Sequence, residues 1–70
     1  MANIELDLDD DVILVEDHDQ QQQLLATKSG NTWRVLEGPI NKSNQLANRT
    51  TVNTPTQALV ETLRWLAEDE

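Results

Sequence analysis

The chain is predicted to be an α+β domain, a small antiparallel sheet of three to five strands, meander-like, with one C-terminal helix packed on one face. Three observations carry this. Apolar and acidic residues alternate at the N-terminus, a hairpin signature surrounds Ser29-Gly30-Asn31, and a helix start is written at Thr54-Pro55.

Ile4, Leu6 and Leu8 alternate with Glu5, Asp7 and Asp9, the period of a half-buried strand. Asp9-Asp10-Asp11 interrupts it, and the β-branched run Val12 to Val15 reads as a second strand. Two arrangements fit residues 4–16. The strands pair as a hairpin across the Asp cluster, or residues 1–11 form a loose arm. The clean alternation favours the hairpin. Asp17 to Gln23, with four consecutive glutamines, reads as a polar connector.

The hairpin of residues 24–37 follows, with Gly30 and Asn31 as types that tolerate positive φ. Trp33 and Val35 share one face of its second arm, and Trp33 is expected in the core. Gly38-Pro39 closes that strand, because proline cannot donate to a ladder. Residues 38–48 are polar and read as a surface loop, and 49–52 as a short strand.

The helix is expected over 55–68. Thr54 is a favoured N-cap, Pro55 suits the first helical position, and Gln57 completes a capping box. Leu59, Leu63 and Leu66, with Val60 and Ala67, make a stripe at helical spacing, the expected core face. Trp65 falls outside it, alongside Ala58 and Thr62. It is either an apolar contact for a partner or a side chain over which the sheet or N-terminal arm curls.

Seventy residues make one domain, with candidate core residues drawn from Leu, Ile and Val plus two tryptophans. Such a core supplies only roughly 3–5 kcal/mol, so a partner or a second copy, as in a homodimer, is a natural source of further burial. The absence of cysteine excludes disulfides, thiolate zinc sites and a Cys nucleophile. No signal peptide or membrane-length apolar run is evident, and the cytoplasm is the expected compartment.

Charge is the most functional feature. The first nineteen residues hold eight carboxylates and no Lys or Arg. Residues 20–60 carry Lys28, Arg34, Lys42 and Arg49 against Glu37, and the end turns acidic again through Glu61, Glu68, Asp69 and Glu70. A net charge of −8 favours a basic protein surface as partner and disfavours direct nucleic-acid or membrane binding. The run from Asp7 lacks the glycine and terminal glutamate of a calcium loop, having Val12 and His18 at those positions. His18 is the sole imidazole, and no metal or cofactor is expected. No phosphate loop or triad context appears, so an enzyme is not expected.

The expected function is a non-enzymatic protein-binding module or small regulatory subunit, presenting an acidic surface to a basic partner. Glu5, Asp7, Asp9, Asp10 and Asp11 are the candidate steering residues and Trp65 the candidate apolar contact. The alternative is an inhibitor whose carboxylates imitate nucleic-acid phosphates.

Overall fold

The computed structural model describes residues 3–68, so the acidic tail residues Asp69 and Glu70 lie outside the described part of the chain. Strands β1 (Ile4–Leu8), β2 (Val12–Asp17), β3 (Gln22–Ser29), β4 (Thr32–Pro39) and β5 (Ala47–Val52) precede helix α1 (Pro55–Glu68). They form one antiparallel sheet in sequence order, β1-β2-β3-β4-β5. The α+β meander with a helix on one face is the architecture expected, and β1 pairs with β2 as a hairpin.

The central hairpin turns through Gly30-Asn31, with Ser29 opposite Thr32. Gly30 takes φ +62° at the first central position, as a type II′ turn requires; Asn31 does not need positive φ. The connector after β2 is shorter than expected. Gln22 and Gln23 join β3, and Gln23 is buried, its Nε2 donating to the carbonyls of Pro39 and Ile40 at 3.0 and 3.3 Å. Those carbonyl partners are supplied by the chain leaving β4, a long-range gain that a polar run does not announce. Asp17 closes the turn by accepting from the backbone N–H groups of Asp19 and Gln20.

The surface loop also gives up residues at its far end. It contains a short 3₁₀ turn, Ser43–Gln45, and β5 starts at Ala47 rather than 49. Pairing with β4 carries the ladder past polar residues whose β preference is weak.

Thr54 caps α1 as expected: its Oγ1 accepts from Gln57 N at 3.1 Å. Gln57 Oε1 accepts in return from Asn53 N at 3.0 Å, one residue earlier than in the standard capping box.

The core face of the helix is not the leucine stripe. Ala58, Thr62 and Trp65 are buried, whereas Leu59, Val60 and Leu63 are exposed. Small Ala58 and Thr62 let the helix axis approach the sheet, and one Trp then covers more area than a leucine would. Thr62 is satisfied without a sheet partner, its Oγ1 donating to Ala58 O at 3.0 Å. Trp65 joins Ile13, Val15, Leu24, Ala26, Trp33 and Val35 in the core, with Val52 and Leu66 at its margin.

Candidate functional site

The backbone of helix α1 comes within 8 Å, Cα to Cα, of β2, β3, β4 and β5 but not of β1. The consequence is visible along β1, where all five residues are exposed. Cross-strand partners lie on the same face of a sheet, and Leu6 opposes Val15 while Leu8 opposes Ile13. Ile4, Leu6 and Leu8 therefore extend the core face of the sheet beyond the helix. Leu6 and Leu8 remain 54% and 59% exposed. At one end of this uncovered strip, Leu8, Ile13, Trp33, Pro55 and Leu59, together with Asp9 and Asp10, line a shallow groove of about 230 Å³.

The candidate steering residues occupy the same hairpin. Glu5 and Asp7 stand on the outer face of β1, and Asp9, Asp10 and Asp11 make its turn, all exposed. Backbone bonds hold that turn, Asp9 N donating to Val12 O at 2.8 Å and Lys28 N to Asp11 O at 2.9 Å. Asp9 Oδ1 accepts from Asp10 N at 3.1 Å, which keeps three adjacent carboxylates in a defined loop.

Trp65 does not join them. At 6% exposure it belongs to the core, so its assignment as a partner contact is corrected. Its indole closes the helix–sheet interface and leaves too little surface for an anchor. The apolar surface beside the carboxylates comes instead from Ile4, Leu6, Leu8 and Leu59, which sequence reasoning placed on the buried side. The alternation of β1 specified a face but not how far the helix reaches.

A second group went unread. Glu5 stands directly opposite Glu16, and His18 follows Glu16 by two residues on the same face. His18 Nε2 lies 3.6 Å from Glu5 Oε2 and 4.0 Å from Glu16 Oε1, with no hydrogen-bond partner. Their donor atoms all fall within 4.8 Å, three of the four ligands that a zinc ion takes. The signal available was the Glu16–His18 spacing combined with the hairpin register.

The opposite edge of the sheet is closed differently. Thr50 pairs with Val35 and Asn48 with Leu36, so Arg49 is the extra residue of a β-bulge. Its Nη1 donates to Glu37 at 3.1 Å, its Nε approaches Glu61 at 3.5 Å, and Glu68 accepts from both terminal nitrogens. The hydrogen bond from Arg49 holds the Glu68 carboxyl below its ordinary range, against an opposing desolvation. The guanidinium is raised in turn, first by Glu68, against its own desolvation, and then by Glu37. Arg49 is thus committed to the fold. Lys28, Arg34 and Lys42 stay exposed, but Trp33 is buried and offers no stacking face to a base.

Among the described residues no helix is long and apolar enough to cross a membrane. Comparison with protein-family models, with curated proteins and with solved structures gives no significant match.

Proposed function

We propose that this chain is a non-enzymatic protein-binding module, a small regulatory subunit that presents the acidic β1–β2 hairpin to a basic protein surface. One observation carries this reading: the strand bearing Glu5 and Asp7 is also the one strand that the helix leaves uncovered. Exposed carboxylates alone account for solubility. Carboxylates beside an uncovered apolar strip supply both long-range attraction and area to bury on contact.

The test is capture of proteins from the native cell on the immobilised chain, with identification by mass spectrometry, beside a variant carrying Asn at positions 9, 10 and 11. The expected result is a protein with a basic surface, retained by the wild type in low salt and depleted on the variant. Equal capture by both would remove the acidic hairpin from the function. Displacement of the captured protein by DNA or RNA would favour phosphate mimicry instead.

A further inference from the structure

We infer that the basic partner binds as a β-strand added to the free edge of β1, with apolar and basic side chains alternating along it. This rests on the proposed function and specifies the partner's form.

The parity of the ladder supplies the argument. His18 N donates to Asn3 O at 2.9 Å and Asp9 N to Val12 O at 2.8 Å, in register with Glu5 opposite Glu16 and Asp7 opposite Leu14. Odd-numbered residues therefore direct their backbone groups to β2. The N–H and C=O groups of Ile4, Leu6 and Leu8 point to the open side. The same residues carry side chains on the uncovered core face, whereas Glu5 and Asp7 point to the other. A strand that pairs there places alternate side chains beside Ile4, Leu6 and Leu8, extending the apolar face next to Leu59. The intervening side chains fall beside Glu5 and Asp7, where Lys or Arg complements the charge.

The two edges of the sheet are not equivalent. β5 is interrupted by its bulge at Arg49, a device that discourages pairing, while β1 pairs regularly throughout. A second copy of this chain is the wrong occupant. Pairing β1 with β1 would set Glu5 and Asp7 beside their equivalents, between chains of net charge −8 each.

The probe is an acetylated peptide alternating lysine and valine over about ten residues, a usual strand length. Its controls are an isomer with the lysines and valines in separate blocks, and a version N-methylated at alternate positions to block edge hydrogen bonds. Amide exchange by NMR is followed on the full chain, together with affinity. The alternating peptide is expected to bind at least about tenfold tighter than either control. It should slow exchange at the Ile4, Leu6 and Leu8 amides, leaving those of Glu5 and Asp7 little changed. The Leu6→Pro variant removes an outward-pointing N–H, which an edge strand tolerates, and should lose this preference. The N-methylated control keeps the test valid where that variant fails to fold.

Equal binding of the alternating and block peptides without amide protection would overturn strand addition and leave the acidic surface standing. Failure of every lysine peptide to bind would overturn both readings. A dimer formed without peptide that protects the same amides would replace the basic strand with a second copy.

Discussion

Leu6 stands directly opposite Val15 on the core face of the sheet, yet Val15 is fully buried and Leu6 is 54% exposed. The boundary of the hydrophobic core therefore falls between two paired strands. β1 contributes backbone hydrogen bonds to the sheet, and its apolar face remains for something else to cover.

Stability should follow that boundary. Val15→Ala is expected to cost about 2 kcal/mol, since it opens a cavity in packed surroundings, whereas Leu6→Thr should cost under about 0.5 kcal/mol. Urea denaturation of the two variants checks this. A Leu6→Thr loss as large as that of Val15→Ala would place β1 inside the core.

The helix makes the same distinction more sharply. Trp65→Ala should cost about 3–5 kcal/mol, enough to unfold a domain of this size, and Leu63→Ser should be nearly neutral. Thermal melts followed by circular dichroism distinguish them. A stable, cooperative Trp65→Ala variant beside an unfolded Leu63→Ser variant would restore the leucine stripe as the core face.

Local chemistry in the sequence was legible where it needed no distant partner. The Thr54-Pro55-Gln57 start, the Gly30 turn and the alternation in β1 each specify their element from neighbouring residues. Features set by tertiary contacts were not legible. Gln23 enters β3 because carbonyls sixteen and seventeen residues away accept its amide. The leucine stripe misled because it counts apolar positions without side-chain size, and Trp65 with two small neighbours packs closer. The acidic hairpin was visible as charge, but the uncovered apolar strip beside it depends on where the helix ends its reach.

The cap gives a narrower test. Thr54→Ala removes the acceptor for Gln57 N and should cost about 1 kcal/mol. An unchanged denaturation midpoint would show that the helix gains nothing from this residue.

The Arg49 cluster predicts a direction with pH. Glu68 has a folded pKa below its unfolded value, so its contribution to stability is present at neutral pH. That contribution is lost as pH falls through the folded value, in the acid range below the ordinary carboxylate pKa. Replacing Glu68 with Gln should flatten this part of the acid-denaturation curve. Arg49→Gln should do so too, at a cost of about 1 kcal/mol at neutral pH, because Glu37 and Glu68 lose their cation and the half-buried Glu61 keeps only the exposed Arg64. Curves that superimpose on the wild type would show that the cluster is solvated and contributes nothing.

The proposed role of the β1–β2 hairpin carboxylates is to draw in a basic partner. Its most direct test is the association rate of the captured partner with the wild type and with the variant carrying Asn in place of Asp9, Asp10 and Asp11. Both are measured at low and at physiological salt. Slower association is expected for the variant at low salt, with little change in dissociation and a difference that shrinks as salt screens exposed charges within about 8 Å. A variant that associates at the wild-type rate in low salt would contradict it.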